Sequence, residues 1–173
     1  EETFLRVNAQ GAEALARACL EANPRLRRFL FVSSVAAAGP SDGPGDVVDE
    51  ARPPRPVTWY GRSKLAAEQV LQGLAGAGSG RLPVTIVRPA AVYGPRDKDF
   101  HAYFRAIKLR LNLQLGQDER HVSLIHVCDL VDLLVRALEQ EQAVGQIYFG
   151  CGPATTYAEL AKAIAMVLDR RPV

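Results

Sequence analysis

Two short, unbroken apolar runs place the tightest constraint on the fold. Residues 28–33 read Arg-Phe-Leu-Phe-Val-Ser, and residues 84–87 read Val-Thr-Ile-Val. Neither run shows the alternating polar and apolar residues of a strand with one solvent-exposed face, so each predicts a parallel strand buried on both faces. An amphipathic stretch that begins near Trp59 predicts a helix between them. Strand, helix and strand form a βαβ unit, which indicates an α/β fold with a parallel sheet.

The rest of the chain predicts further helices and short strands. Apolar residues at helical spacing indicate helices from Val7, over Asp99–Leu111 and from Val127, and Thr156 with Glu159 has the capping-box spacing of a helix start. Proline, glycine and acidic residues predict a surface loop over residues 39–56. Short strands are expected over 113–115, 122–125 and 146–149, and a loop over 88–95.

Composition excludes several classes of protein. Lysine and arginine number 21 against 19 acidic residues, without a block of like charge, so a nucleic-acid partner is not expected. No apolar run approaches the roughly 20 residues that a membrane helix needs, so we expect a soluble cytoplasmic protein. Cys19, Cys128 and Cys151 are widely spaced, which argues against a disulfide framework or a bound metal.

Tyr60 and Lys64 are four residues apart on the predicted helix, so both side chains lie on the same face. A phenol titrates near pH 10 and is a poor base at neutral pH, but an adjacent ammonium group stabilises the phenolate. Such a pair can exchange a proton with a substrate oxygen. The spacing therefore predicts an acid/base site.

Six ordered motifs between Val7 and about Leu168 carry a family resemblance. The segment 31–39 ends a predicted strand in Ser33-Ser34, and 59–68 reads Trp-Tyr-Gly-Arg-Ser-Lys-Leu-Ala-Ala-Glu. The other four are Val-Asn-Ala-Gln-Gly at 7–11, Arg-Pro-Ala-Ala-Val-Tyr-Gly-Pro at 88–95, Ile-His-Val-Cys-Asp-Leu at 125–130 and Tyr-Phe-Gly-Cys-Gly at 148–152. In this order they resemble the extended short-chain dehydrogenase/reductase family, also called the NAD-dependent epimerase/dehydratase family.

The resemblance implies roles for individual residues. Tyr60 would be the acid/base, Lys64 would support its phenolate and bind the nicotinamide ribose of NAD or NADP, and Ser34 would hydrogen-bond the reacting oxygen. Besides Tyr60 and Lys64, the residues expected to contact the cofactor are Ser33, Pro89, Ala90 and Val92. Expected substrate contacts are Asn8, Ala36, Ala91 and Arg96.

The resemblance also implies an architecture: a partial Rossmann-type, doubly wound parallel sheet that lacks its N-terminal strands, plus a small substrate-binding region. Residues 1–95 would belong to the dinucleotide-binding domain and 96–173 mostly to the substrate region, with some elements returning to the first. The glycine-rich turn that receives a pyrophosphate does not occur, because glycines 73–80 follow a helix. We therefore expect an N-terminally truncated chain that is inactive alone. Family members often form homodimers through the two helices that here begin near Val7 and Trp59.

Three functions remain open at this point. The first is an epimerase or dehydratase acting on a small-molecule substrate such as a nucleotide sugar, although Val122 occupies the position where sugar-nucleotide epimerases commonly carry an arginine. The second is a reductase of an apolar ketone, similar to 3-beta-hydroxysteroid dehydrogenases or dihydroflavonol reductases, because the loop residues include Phe100 and Phe104. The third is a family member that senses a cofactor or acts as a scaffold without catalysis.

Overall fold

A computed structural model describes residues 1–43, 45–76, 81–109 and 121–169. The chain divides into two compact units: Glu1–Ala90 with Val131–Gly150, and Ala91–Leu130 with Cys151–Val173. The predicted strand over 113–115 lies outside the described residues. None of the described helices combines the length and apolar character that crossing a bilayer requires.

The first unit is built around a three-stranded parallel sheet. Its strands are β1 (Phe29–Val32), β2 (Val84–Pro89) and β5 (Ile147–Gly150), in the spatial order β1-β2-β5. Its helices are α1 (Glu2–Phe4), a π-helical segment (Leu5–Gln10), α2 (Gly11–Ala22), α3 (Val35–Ala38) and α4 (Trp59–Gly76). The sheet confirms the predicted α/β class, and the two apolar runs pair as parallel neighbours, with Phe29 opposite Val84.

The core of this unit lies between the sheet and the helices α2 and α4. Leu71 of α4 and Ala16 of α2 are fully buried against Val84 and Ile86 of β2. All six residues of β2 are buried, as its unbroken apolar run predicted for a central parallel strand. Burying an aliphatic side chain of this kind contributes about 1.5–3 kcal/mol, so β2 anchors the unit.

The second unit contains a smaller mixed sheet of β3 (Ala91–Tyr93), β4 (His121–His126) and β6 (Ala154–Thr156). Strand β3 pairs parallel with β4, and β6 pairs antiparallel with it. This unit also holds α5 (Lys98–Lys108) and α7 (Tyr157–Val167), whereas α6 (Val127–Glu139) begins here and continues into the first unit. At the start of α7, Thr156 and Glu159 form the predicted capping box.

The predicted loop over 88–95 is mostly strand, and this expectation was wrong. Arg88 and Pro89 extend β2, and residues 91–93 form β3 in the other sheet. Ala90 lies between them, where its amide donates to the carbonyl of Gly150 at 2.8 Å. Sheet pairing overrides the local preference of the Arg-Pro-Ala-Ala sequence, because Pro89 at the strand end needs no amide hydrogen for the ladder.

Helices α3 and α4 approach each other closely at Gly61. A Cβ atom on Gly61 would lie 2.2 Å from the carbonyl oxygen of Ala36, which is far inside van der Waals contact. Thr58 caps the start of α4, accepting the amide hydrogen of Gly61 at 3.0 Å. The absence of a side chain at position 61 therefore allows the first turn of α4, which carries Tyr60, to pack against the short helix that follows Ser34.

We expect Gly61→Ala to destabilise the protein by about 3 kcal/mol, because the backbone of Ala36 cannot withdraw without moving α3. Gly73→Ala, in the same helix, is the matched control: nothing lies within 4 Å of its Cβ position. Alanine has the higher helix propensity, so this control should raise stability by up to about 1 kcal/mol. Urea unfolding of both variants measures the difference, and equal effects would contradict the close approach.

The capping box predicts a stability change that depends on pH. Thr156→Ala should lower the free energy of unfolding in urea by about 1 kcal/mol, because the amide of Glu159 loses its acceptor.

Hydrogen bonds from the backbone and side chain of Thr156 lower the pKa of Glu159. Its charge therefore stabilises the fold above the ordinary glutamate pKa, and this stabilisation is lost as pH falls through the lowered value. The stability difference between wild type and Glu159→Gln should shrink on acidification; a constant difference would contradict the assignment.

Candidate active site

Lys64 connects α4 to the end of β1. Its ammonium donates a hydrogen bond to the carbonyl oxygen of Val32 at 3.0 Å and lies 5.1 Å from the ring centroid of Phe31. The same ammonium lies 5.9 Å from the ring centroid of Tyr60, one helical turn away. The predicted pair thus shares one face of the helix, and that face is turned toward the strand that leads to Ser34.

Two opposing effects act on the charge of Lys64. Partial burial lowers the pKa of Lys64, and the negative charge of Glu68, one turn further along α4, opposes this shift. A carbonyl, two aromatic faces and a nearby carboxylate all favour a positive charge here. The ammonium is therefore held beside Tyr60 by groups that attract it.

Ser34 occupies the turn between β1 and α3. Its backbone is extended, with φ −161° and ψ 152°, and its Oγ accepts the amide hydrogen of Ala36 at 3.2 Å as the N-cap of α3. Because that bond uses only a lone pair, the hydroxyl hydrogen remains available for donation to another acceptor. Parallel strands place ligand sites at their carboxyl ends, which is where Ser34 lies.

The side chain of Tyr60 is 39% exposed at the start of α4. Its ring packs edge-on against Phe4, with the ring centroids 6.1 Å apart. The side-chain amide of Asn8 donates to Ser63 Oγ at 2.9 Å, and Ser63 donates to the Tyr60 carbonyl at 2.8 Å. Asn8 therefore braces the backbone of the turn that carries Tyr60, from a π-helical segment of the kind that often occurs at functional sites.

A buried polar network lies behind these residues. Ser33 donates its hydroxyl to Glu68 Oε1, and Arg88 donates from Nε to Oε1 at 3.0 Å and from Nη2 to Oε2 at 2.6 Å. Glu68 and Arg88 fall within two of the ordered motifs, but the sequence motifs alone assign neither residue a role. The signal was available, since charged residues inside otherwise apolar patterns need partners when buried. For Ser33, expected at the cofactor, the single hydroxyl proton is committed to Glu68.

The loop after α3 is tied down at both ends. Gly39 has φ +91°, and a Cβ there would lie 2.1 Å from the carbonyl oxygen of Arg55, so only glycine fits. Within the loop, Arg52 bridges Asp42 and Asp46, each at 2.5 Å. Glu50 then accepts the amide hydrogen of Phe149 on β5 at 2.9 Å. The loop predicted from proline, glycine and acidic residues thus has a defined course over the first unit.

The other expected contact residues fall into both units. Pro89 and Ala90 are buried at the carboxyl end of β2, next to Gly150, and Ala36 lies in α3. Ala91, Val92 and Arg96 belong to the second unit, where Val92 pairs with Ile125. Arg96 has φ +74°, an uncommon value for a residue with a side chain.

The second unit contains a largely apolar cavity of about 610 Å³. Tyr93, Phe100, Phe104, Ile125, Leu160 and Ile164 are among its lining residues. A second cavity of about 600 Å³ is lined by the same three aromatic residues, Tyr93, Phe100 and Phe104, and also by Arg96, Lys98 and His101.

His126 packs edge-on against Tyr93, and its Nδ1 accepts the amide hydrogen of Cys128 at 3.3 Å. His126 therefore accepts an amide hydrogen of the first turn of α6, as a helix cap does.

Acidic, histidine and cysteine side chains do not gather into a metal-binding group of three or more anywhere in the described part of the chain. Cys19, Cys128 and Cys151 are all free thiols.

Known proteins are similar to this chain over nearly its whole length. A UDP-glucose 4-epimerase of Vibrio cholerae is 31% identical over 172 residues, covering 96% of this chain and 51% of that protein. A ceramide reductase of Caulobacter vibrioides is 29% identical over 173 residues, covering 99% of this chain and 47% of that protein. Among solved structures, MoeE5 in complex with UDP-glucose and NAD is 29% identical with a TM-score of 0.79, covering 97% of this chain and 56% of that one.

The chain spans about half the length of the curated relatives it matches. The likeness to MoeE5 extends over nearly all of this chain, which supports a partial Rossmann-type α/β fold. The model of the NAD dependent epimerase/dehydratase family matches residues 1–149. Six ordered motifs, a parallel sheet with Ser34 at its carboxyl edge and this match lead to one conclusion: the chain belongs to the NAD-dependent epimerase/dehydratase family.

Proposed function

We propose that this chain carries the acid/base site of an NAD(P)-dependent enzyme that acts on a hydroxyl-bearing carbon, with Tyr60 as the acid/base. One observation carries the proposal: the Lys64 ammonium bonds the Val32 carbonyl at 3.0 Å and lies 5.9 Å from the Tyr60 ring. A positive charge near a phenol stabilises the phenolate, which can then accept a proton from a substrate hydroxyl. Ser34 would donate its free proton to the same substrate oxygen.

The described residues fit part of a nicotinamide cofactor site. An ammonium and an exposed phenol at the carboxyl edge of a parallel sheet suit a ribose hydroxyl, which both donates and accepts hydrogen bonds. When bound, the nicotinamide would supply the acceptor or donor of a hydride. A glycine-rich strand-to-helix turn for the pyrophosphate is absent from the described ranges, so the proposal concerns the nicotinamide end only.

A nucleotide sugar is the proposed substrate. The relative from Vibrio cholerae is a UDP-glucose 4-epimerase, and MoeE5 was solved with UDP-glucose and NAD. In the second unit, Arg96, Lys98 and His101 line a cavity together with Tyr93 and Phe100. Cationic and aromatic side chains in one cavity suit a ligand with a phosphate and a ring.

A second candidate is the reduction of an apolar ketone. It is favoured by the match to a ceramide reductase and by the apolar cavity lined by Phe104, Leu160 and Ile164. The two candidates differ in cofactor balance. An epimerase returns the hydride and leaves no net reduced cofactor, whereas a reductase consumes one NAD(P)H for each product molecule.

We also propose a homodimer through the helices that carry Val7 and Tyr60. Apolar side chains are exposed there, with Val7 at 63%, Leu15 at 59% and Trp59 at 48%. Such a concentration of exposed apolar groups on adjacent helices favours a protein partner over water.

Tyr60→Phe in the complete enzyme should lower kcat by about 10²–10⁴-fold, because phenylalanine cannot exchange a proton. Cofactor affinity, measured by fluorescence titration, should change little. Tyr157→Phe is the matched control, since it removes a phenol from the start of α7 and should leave kcat unchanged. Unchanged turnover in Tyr60→Phe would sink the acid/base assignment.

The substrate class can be decided by following cofactor and product together. With UDP-glucose, the nucleotide-sugar proposal predicts formation of an epimer or dehydrated product with no lasting change in absorbance at the NADH band. With a long-chain ketone and NADPH, the reductase candidate predicts absorbance loss equal to the alcohol formed. Cofactor binding without turnover in either assay would support a non-catalytic family member and contradict both.

A further inference from the structure

The buried network of Ser33, Glu68 and Arg88 is not used by the proposed chemistry. Glu68 is 1% exposed, Arg88 3% and Ser33 4%. Each carboxylate oxygen of Glu68 accepts a hydrogen bond from Arg88, and Oε1 also accepts the Ser33 hydroxyl. The Arg88 guanidinium in addition lies 5.5 Å from the ring centroid of Phe149. The bidentate geometry places the two buried side chains in direct hydrogen-bonded contact.

Stability alone is a weak reason for such a pair. Buried ion pairs can often be replaced by apolar residues of similar volume without loss of stability, because desolvation offsets their attraction. What this pair supplies is a fixed orientation of the Glu68 carboxylate. A carboxylate clamped at both oxygens by Arg88 is a rigid acceptor, and it fixes the hydroxyl that it receives.

The network joins three segments around the candidate active site. Ser33 immediately precedes Ser34, Glu68 lies one turn after Lys64 on α4, and Arg88 lies at the end of β2. The backbone amide of Ser33 donates to the Val87 carbonyl at 2.7 Å, which is the last ladder bond before the chain leaves the sheet. After this ladder bond, the next hydrogen bond that holds the chain is the one from the Ser33 hydroxyl to Glu68.

We propose that Glu68, clamped by Arg88, is a positioning residue that holds Ser33 and thereby fixes the orientation of Ser34 relative to Lys64. The inference rests on the proposed function, because it assigns Glu68 a role in the site of Tyr60, Lys64 and Ser34. It also gives Ser33 a role distinct from cofactor contact. Small displacements at a reacting group reduce rate strongly, so losing the anchor lowers kcat more than KM.

The experiment is a mutant cycle in the complete enzyme, measured with UDP-glucose and NAD or with a long-chain ketone and NADPH, whichever pair shows Tyr60-dependent turnover. One arm is Ser33→Ala, with Ser33→Thr as the conservative variant that keeps the hydroxyl. The other arm is Glu68→Leu/Arg88→Met, which replaces the ion pair by apolar residues of similar volume. Thr85→Val is the matched control: the hydroxyl of Thr85 on β2 is also buried, and it donates at 2.7 Å to the carbonyl of Ala143, in a short 3-10 helix before β5.

We expect Ser33→Ala to lower kcat about tenfold, equivalent to about 1.4 kcal/mol of transition-state stabilisation, with KM for substrate and cofactor changed less than about twofold. Ser33→Thr should restore most of the rate. Thr85→Val should lower the midpoint of thermal unfolding but not kcat. In the Glu68→Leu/Arg88→Met background, Ser33→Ala should cost less than about twofold, because the anchor is already absent.

Several results would overturn the inference. An unchanged kcat in Ser33→Ala, or an equal tenfold loss in both backgrounds, would mean that Ser33 does not act through Glu68. A loss of kcat in Thr85→Val equal to that in Ser33→Ala would mean a general packing effect. These failures differ from a failure of the proposed function, which appears as Tyr60→Phe retaining full turnover.

Discussion

The hydrogen bond from the Lys64 ammonium to the Val32 carbonyl is the contact on which the candidate active site depends. It is made across 32 residues of sequence, between a helix and the end of a buried strand. Without it, the end of β1 would be joined to α4 by the hydrogen bond from Ser33 to Glu68, one turn further from Tyr60, and by packing. With it, one charged group sets the distance between the phenol-bearing face of α4 and the turn after β1. A single side chain thus both supports the proposed chemistry and holds two elements together.

The surrounding contacts serve the same arrangement by different physical means. Gly61 lets α4 approach α3 because it lacks a side chain, and Asn8 braces the Tyr60 turn through Ser63. The pair of Glu68 and Arg88 extends the arrangement inward, to the strand end at Ser33. Sterics, neutral hydrogen bonds and a buried ion pair therefore converge on one helical turn and one strand end. Contacts of this kind favour one fixed arrangement of the side chains, which is what the proposed acid/base chemistry requires.

Local pattern predicted the elements well where one physical signal dominated. The runs 28–33 and 84–87 became parallel neighbours, since aromatic and branched residues without polar alternation suit only a strand covered on both faces. Thr156 and Glu159 capped α7 as their spacing indicated. The prediction failed at 88–95, where pairing with β4 and β5 converted an apparent loop into strand. Pairing partners lie far away in sequence, so a local window does not contain that information.

The amino-acid sequence by itself determined the α/β class, the family and the Tyr60–Lys64 spacing, because helical periodicity and ordered motifs are properties of the chain alone. Only the tertiary structure decided that Lys64 reaches Val32, that Asn8 acts on the backbone of Tyr60, and that Ser33 is turned inward while Ser34 caps α3. Both residues are serines, and their different roles arise because Ser33 directly follows β1 and bonds inward to Glu68, whereas Ser34 is the N-cap of α3. The partners that separate them, Glu68 for one and Ala36 for the other, are brought there by packing and by the cost of leaving a buried charge or amide unpaired.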